Sequence, residues 1–404
     1  MDQFGRWVEP SGEAPAGYVV YKRSHSPYER WMEEQGIPIL RGIGVRDTRD
    51  VHLEAWRRRN ARGAFLYLDG LEGTKGMYIL EVPSADATVP ETHVYDEFFL
   101  VIEGRGSTEV WRGSGVKRHV FEWQAGTLFM IPINASSQLV NATRSPALLL
   151  AANNAPGVFN IFQSHRFIFE NDWDFSERYE MTDDFFRVNS ELEMEPVRGR
   201  AAIRSNVFPD IVHAQLPLDN QRAPGYRRIQ PTFSGFIQDA GTGGFIAEYP
   251  SGRYSKAHYH SSGAVLVCLK GRGMTYNWPV ELGPTPWRDG RGDQVRVLEY
   301  VPGGLVAAAP GGGMWFHQHF GIGNEPLRVI NYWGGPHARW GIADEKDDDV
   351  KSGNLFGIRE GGRTIQYYEE DPFVRTAYQR RLAEAGVAFD MPESLFEAPA
   401  VRVS

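Results

Sequence analysis

The sequence predicts a protein dominated by β-structure, with two tandem barrels or sandwiches and a short helical extension at each end. The chain contains an internal repeat, and its apolar residues fall in short runs separated by turn residues. It is also rich in glycine, proline and aromatic side chains, with 44 Gly, 25 Pro and 13% aromatic residues. A length of 404 residues exceeds one typical domain and suits two.

The internal repeat relates residues 81–111 to residues 248–278 at a constant offset of 167 residues. Both copies contain a Glu-x-Pro-Ser start, a Gly-Arg-Gly turn and a final tryptophan, and His93 corresponds to His260. Chance similarity would not hold one offset through turn residues and a histidine, so we infer a duplicated domain. Further on, the offset rises to 178, which indicates an eleven-residue insertion in the second copy.

Short apolar runs between Gly, Pro and Asn residues predict strands in both copies. In the first copy these runs are residues 77–82, 98–102, 128–131 and 147–152. In the second copy they are residues 245–249, 264–269, 273–278, 305–309 and 327–333. Outside the repeats, the patterns predict helices over residues 26–35 and 373–385.

These elements divide the chain into five predicted parts. They are an N-terminal arm with a short helix (1–60), a first barrel (61–175), an interdomain connection (176–225), a second barrel (226–340) and a C-terminal tail with a helix (341–404).

Composition excludes several classes of partner. A formal net charge of −8 argues against nucleic acid and against an anionic membrane surface. Cys268 is the single cysteine, so no intrachain disulfide can form. The N-terminus does not resemble a secretory signal, and the longest aliphatic stretch, residues 147–152, is far shorter than a membrane span. We therefore expect a cytoplasmic protein.

Two pairs of histidines suggest a metal site in the second copy. His258 and His260 stand at positions i and i+2, so on a β-strand both imidazoles point to the same face. His317 and His319 form a second pair with the same spacing. Burying four imidazoles without a ligand would be costly, and the sequence therefore predicts one divalent metal ion held inside this barrel.

The spacing of these residues resembles the paired sequence motifs of cupins, and two such units resemble a bicupin. The resemblance covers roughly residues 64–165 and 230–335. The motif positions are Gly252, His258, His260, Gly271, Gly304 and Pro310, followed by a histidine. The resemblance implies two jelly-roll barrels, also described as double-stranded β-helices, and a homodimer or higher homo-oligomer.

At the position of the usual cupin glutamate this chain has Ala264, which leaves a set of histidines alone. That set is similar to the gentisate 1,2-dioxygenase type of bicupin, in which three neutral histidines hold Fe(II). The resemblance implies His258, His260 and His317 as metal ligands, with Mn, Ni, Cu and Zn as alternatives to iron. In that type the complete set usually lies in the first repeat, whereas here it lies in the second.

Two further residues are candidates for catalysis. His319 shares one side of its strand with His317, and either histidine fits as the third ligand; the resemblance favours His317 and leaves His319 as an acid, base or substrate contact. Tyr276 is a second candidate, as a residue of the expected pocket.

The first copy contains only part of the motif. Glu91 replaces the first histidine, His93 and Glu97 keep their positions, and Ser137 stands where the last histidine would be. We expect this barrel to have a mainly structural or dimerising role, with mixed oxygen and nitrogen ligation of a hard cation as the alternative.

The leading functional hypothesis is a non-haem Fe(II) dioxygenase that uses O2 and a small metal-chelating phenol, dione or hydroxy acid. Three neutral histidines leave about three positions open for a bidentate anion and O2. One alternative is a redox-neutral metal-dependent decarboxylase, isomerase or lyase, in which the metal is a Lewis acid only. A second alternative is a bicupin that binds a small molecule without turnover. The missing glutamate at Ala264 favours the first hypothesis over a decarboxylase.

Overall fold

The computed structural model describes residues 25–113, 117–195, 200–219, 221–233, 244–260, 263–310, 313–334 and 356–398. The first 24 residues of the predicted arm and residues 335–355, where the predicted second barrel ends and the C-terminal tail begins, lie outside the described residues.

Twenty-three strands and four α-helices are present in the described residues. In the N-terminal part and the first barrel, the strands are β1 (Ile39–Gly42), β2 (Gly44–Val45), β3 (Glu54–Trp56), β4 (Ala61–Leu68), β5 (Gly76–Val82), β6 (Asp86–Ala87), β7 (Glu97–Glu103), β8 (Arg105–Trp111), β9 (Arg118–Gln124), β10 (Leu128–Ile131), β11 (Ser136–Asn141) and β12 (Ala147–Asn153). In the connection they are β13 (Leu192–Glu195), β14 (Arg200–Arg204) and β15 (Val207–Phe208). In the second barrel they are β16 (Arg227–Thr232), β17 (Gly244–Tyr249), β18 (Gly263–Lys270), β19 (Gly273–Pro279), β20 (Arg296–Tyr300), β21 (Leu305–Ala307), β22 (Trp315–Gly321) and β23 (Leu327–Gly334). The helices are α1 (Pro27–Glu34), α2 (Ala155–Phe162), α3 (His165–Phe169) and α4 (Pro372–Ala385).

The strand order of the first barrel is that of a jelly roll. One sheet contains β5-β12-β7-β10 and the other contains β6-β11-β8-β9. With β5 to β12 numbered from one to eight, the two sheets read 1-8-3-6 and 2-7-4-5. This order arises when a long antiparallel hairpin folds over on itself, as in cupins and other jelly rolls.

The second barrel repeats this topology. Strands β17-β23-β18-β21 form one sheet and β20-β19-β22 form the other. Residues 254–258 take the place of the remaining strand, because Tyr254 pairs with Phe320 and His258 pairs with His317. The structure therefore confirms the predicted fold class of two tandem jelly-roll barrels.

The two barrels pack against each other through their larger sheets. On β7, Phe98 and Leu100 belong to an apolar cluster shared with the second barrel, whereas Phe99 and Val101 belong to the interior cluster of the first. Successive side chains of a strand point to opposite faces, so a strand buried on both faces must be apolar throughout. This is why continuous apolar runs located the central strands correctly.

Short strands from the arm and the connection join the barrels more closely than the sequence indicated. β2 of the arm pairs with β21 of the second barrel. β15 of the connection pairs with β10 of the first barrel. Strands of only two residues are too short to leave a recognisable pattern in the sequence.

The predicted helices begin and end close to their expected residues. Ser26 caps α1 and forms a capping box with Glu29. Asp371 caps α4, and Gly386 ends it in a left-handed conformation. The buried face of α4 contains Val374, Ala377, Tyr378 and Leu382, whereas Phe373 is 39% exposed. No helix among the described residues is long and apolar enough to cross a membrane.

Candidate metal centre

Three histidines converge inside the second barrel. His258 and His317 pair through two backbone hydrogen bonds, with the His258 amide donating at 3.1 Å and the His317 amide donating at 2.9 Å. Their ring centroids are 4.2 Å apart, and the centroid of His260 is 4.7 Å from that of His317. One nitrogen of each of the three rings lies within 4.8 Å of the others. This spacing suits a single metal ion between them.

Burial keeps the imidazoles of His258 and His317 neutral. His258 and His317 are 6% and 2% exposed. Loss of solvent lowers the pKa of both rings well below the usual imidazole value, and the positive charge of Arg222 lowers it further. Neutral imidazole is the form that binds a metal, because its free lone pair is available.

Backbone carbonyls orient two of the rings. Nδ1 of His317 lies 3.1 Å from the carbonyl oxygen of Trp315, and Nδ1 of His258 lies 3.4 Å from that of Lys256. A hydrogen bond from Nδ1 fixes the tautomer and leaves Nε2 as the ligand atom. These contacts therefore prepare both rings to point Nε2 at a shared ion.

His319 lies beside this group and outside it. Its ring centroid is 5.6 Å from that of His317, and its Nδ1 is 3.0 Å from the hydroxyl of Tyr300. Burial lowers the pKa of His319 to about 3, so the ring is neutral at pH 7. The neutral ring can form hydrogen bonds with a bound molecule, and the role of His319 as an acid, a base or a substrate contact stays a prediction.

Tyr276 is not part of the site, which corrects the prediction that it takes part in catalysis. Its partner across the sheet is Gln318, so it points to the opposite face from His317. There its ring packs against Trp287 and Phe320, at centroid distances of 5.1 and 5.0 Å. The assignment depends on which face of β19 points into the barrel, and the sequence alone does not determine that face.

The barrel interior away from the histidines is apolar. Ala264, Leu266 and Cys268 of β18 point inward and are 0–1% exposed. Burial raises the pKa of Cys268 to about 12, so this thiol stays protonated and inert.

A C-terminal segment, residues 363–365, pairs with the segment around His258 on the side away from His317. Thr364 pairs with His258, and the amide of Ile365 donates to Ala257 at 2.8 Å. The amide of Tyr259 donates to Arg363 at 3.1 Å. This segment lies outside both repeats, and no feature of its sequence indicated the pairing.

The same tail places a buried carboxyl group against Gln318, the neighbour of His317. Glu370 accepts hydrogen bonds from the hydroxyl of Tyr254 and from Nε2 of Gln318, the latter at 3.1 Å. Gln318 stands between His317 and His319 and also donates to the carbonyl of Ser255 at 2.9 Å. Burial outweighs these hydrogen bonds and raises the pKa of Glu370 to about 8.

The stability of the protein is therefore expected to fall between pH 6 and pH 8. In this range folded Glu370 keeps a proton that the unfolded chain has released, so unfolding becomes easier as pH rises. The Glu370→Gln variant has no ionisable group at this position. Between pH 6 and pH 8 its free energy of unfolding should therefore change by about 2–3 kcal/mol less than that of wild type. Chemical unfolding of both proteins at several pH values measures the difference, with Glu384→Gln, an exposed residue of α4, as control. Parallel pH profiles for wild type and Glu370→Gln would contradict the assignment.

The first barrel has a charge cluster at the matching position. Glu91 pairs with Ser137 across the sheet, as His258 pairs with His317. The buried guanidinium of Arg59 forms an ion pair with Glu91 and lies 3.8 Å from Glu97. Nε2 of His93 lies 3.3 Å from the same Glu97 oxygen.

Arg59 supplies the positive charge that a metal cation would supply to these carboxylates. Burial alone would raise the pKa of Glu97, but Arg59 and His93 together lower it to about 2. The hydroxyl of Tyr78 and the amide of Asn153 also donate to Glu97, at 2.7 and 3.0 Å. The cluster is thus neutralised by the protein itself, and it supports the structural interpretation of the first barrel.

Comparison with known proteins identified structural similarity only. No protein-family model and no curated protein matches this sequence. Similar solved structures include Bacillus subtilis oxalate decarboxylase from a study of its Mn(II) centres, with 12% identity, 74% of this chain and 78% of that chain covered, and a TM-score of 0.44. A mutant of the same enzyme matches 80% of this chain and 87% of its own, with 12% identity and a TM-score of 0.44. A similarity of this extent assigns neither a metal nor a reaction to this chain.

Proposed function

We propose that this chain is a metal-dependent bicupin enzyme that acts on a small, anionic, metal-chelating substrate. His258, His260 and His317 would hold one divalent transition metal in the second barrel. The observation that supports this is the convergence of three imidazoles, two of them deeply buried, with one nitrogen of each ring within 4.8 Å of the others. Iron, manganese, nickel, copper and zinc all accept such a donor set.

The charge of the site supports an anionic substrate. Three neutral imidazoles leave the charge of a bound divalent ion uncompensated, and about three coordination positions stay open for a chelating ligand. Arg222 approaches the site from the connection, and its charge is felt by His258 and His317. On the edge strand β20, exposed Arg296 is the next residue across the sheet from Asn277, in the row that contains His317.

We propose redox-neutral chemistry as the reaction class, because it requires the fewest components besides these residues and a metal. The reaction would be a decarboxylation, an isomerisation or an elimination. A bound metal would supply a Lewis acid that stabilises negative charge developing on the substrate. The apolar interior formed by Ala264 and Leu266 excludes water and strengthens this stabilisation. No oxidant and no second cofactor is needed.

Dioxygenation, which the sequence favoured, is the second candidate. The observation in its favour is that the ligand set contains three histidines and no carboxylate, because Ala264 stands at the glutamate position. The open positions then suffice for a bidentate anion and O2 together. Iron as the native metal, O2 as a substrate, a homo-oligomeric state and a cytoplasmic location all stay predictions.

The reaction classes are separated by measuring metal content, CO2 release and oxygen uptake on one preparation purified without chelator. The substrates are a panel of small carboxylates, including oxalate and hydroxy acids, and chelating phenols. CO2 release without oxygen uptake supports decarboxylation, and an isomerised or dehydrated product supports the other redox-neutral reactions. Stoichiometric oxygen uptake supports dioxygenation. Binding of an unchanged ligand would instead support a non-catalytic protein, and absence of any bound transition metal would overturn the proposal.

A further inference from the structure

An asparagine faces the three histidines from the neighbouring strand. Asn277 of β19 lies directly opposite His317 of β22, so both side chains project from the same face of the sheet into the barrel. Directly opposed residues in an antiparallel pair have Cβ atoms about 4.5–5.5 Å apart. His258, His317 and Asn277 therefore form one row across the sheet, and Asn277 is 0% exposed.

Only one of the two polar atoms in the Asn277 side-chain amide has a hydrogen-bond partner among the described residues. Its Nδ2 donates to the hydroxyl of Thr275 at 3.4 Å, and that hydroxyl donates in turn to the carbonyl of Tyr276. Oδ1 is buried and has no hydrogen-bond partner among the described residues. A buried acceptor without a donor carries a desolvation penalty, and such a group in a native protein calls for an explanation such as a bound water, ion or ligand.

The first barrel provides an internal comparison. Val110 lies opposite Ser137 just as Asn277 lies opposite His317, and Val110 is also 0% exposed. The barrel with three converging histidines thus has an amide at this position, and the barrel neutralised by Arg59 has an apolar side chain. An asparagine is therefore not needed to pack a barrel of this topology, and its role belongs to the histidine site.

The nearby histidines do not offer Oδ1 a donor. His317 directs Nδ1 at a backbone carbonyl, and Nδ1 of His319 lies against Tyr300. A bound molecule can supply this donor. A small anion that chelates through a carboxylate and an adjacent hydroxyl would place its hydroxyl hydrogen in this part of the barrel.

We propose that Asn277 Oδ1 accepts a hydrogen bond from a substrate hydroxyl group, and that it selects hydroxy-carboxylates over analogues that cannot donate. This inference rests on the proposed function and narrows its substrate class. A site built to accept from a hydroxyl discriminates strongly against a ligand without one, because the buried acceptor is then left unpaired. We expect a preference on the order of 10- to 100-fold, which corresponds to leaving one buried acceptor unpaired.

The test uses the full-length protein loaded with Co(II), whose visible absorption reports on anion binding. Glycolate and methoxyacetate are the probes, since both have a carboxylate and an adjacent oxygen but only glycolate can donate. Wild type should bind glycolate more tightly by about 10- to 100-fold. Asn277→Val, which copies the first barrel, should retain Co(II) and lose at least about tenfold of that preference.

The outcomes separate the two proposals. Absence of Co(II) uptake by wild type would overturn the metal site and, with it, this inference. Normal uptake with an equal glycolate preference in wild type and Asn277→Val would overturn the role of Asn277 alone. Should the variant fail to fold, wild type still decides, because equal affinities for glycolate and methoxyacetate would contradict the inference.

Discussion

His260→Ala is expected to abolish stoichiometric metal binding by this protein. The substitution removes one of three nitrogen donors, and the remaining pair, His258 and His317, cannot complete the site. Loss of a partner that merely orients a ligand already costs 10- to 100-fold in metal affinity, so we expect a loss of at least about 100-fold. Elemental analysis of protein purified without chelator, followed by Co(II) titration, measures the effect.

His319→Gln is the matched control for this prediction. His319 is as buried as His317 and stands two residues away on the same strand, yet its ring lies outside the converging group. The control should retain metal within about tenfold of wild type, below the loss expected for a ligand. Equal metal content in wild type and His260→Ala would show that the site is wrongly assigned. Greater loss in His319→Gln than in His317→Gln would show that His319 is the third ligand.

Arg59→Met is expected to destabilise the protein by about 3–5 kcal/mol, although Arg59 lies far from the proposed metal. Arg59 is 5% exposed and provides the positive charge beside Glu91 and Glu97. Removal of this buried charge leaves His93 and the partly exposed Arg58 as the remaining basic groups beside the two carboxylates. Breaking a buried ion pair by removing one partner is strongly destabilising. Urea unfolding followed by circular dichroism measures the loss.

Arg58→Met tests whether burial is the cause. Arg58 pairs with the same Glu91, at 2.7 Å, but its side chain is 34% exposed. A solvent-exposed pair contributes about 1 kcal/mol or less, so this variant should unfold close to wild type. Similar losses for the two variants would contradict a buried charge cluster, and so would a neutral effect of Arg59→Met.

The fold could be predicted because its signals are local or repeated. Buried strands such as β7 and β12 are apolar on both faces and therefore read as continuous runs. The constant offset between the two copies of the repeat indicated that both barrels have the same fold. Two-residue strands such as β2 and β15 carry no such signal, since their pairing depends on which surfaces the folded barrels bring close.

The histidines of the site could be predicted from the sequence, whereas the residues that surround them could not. The spacing of His258 and His260 placed both rings on one face, the cupin resemblance supplied His317, and the structure brings the three rings together. Tyr276 was misplaced because spacing within β19 does not reveal which face points inward. Arg59 and Thr364 were missed because they lie outside the motifs that carry the cupin resemblance, and long-range packing alone brings them to the two sites.

The central claim is that one metal ion in the second barrel is bound by three imidazoles. X-ray absorption spectroscopy of the purified protein loaded with one equivalent of Co(II) tests it directly. We expect three histidine nitrogens about 2.0–2.2 Å from the metal, as in other histidine sites, with the remaining ligands from water or buffer. A spectrum without imidazole scattering, or one with fewer than three imidazoles in the wild type, would contradict the claim.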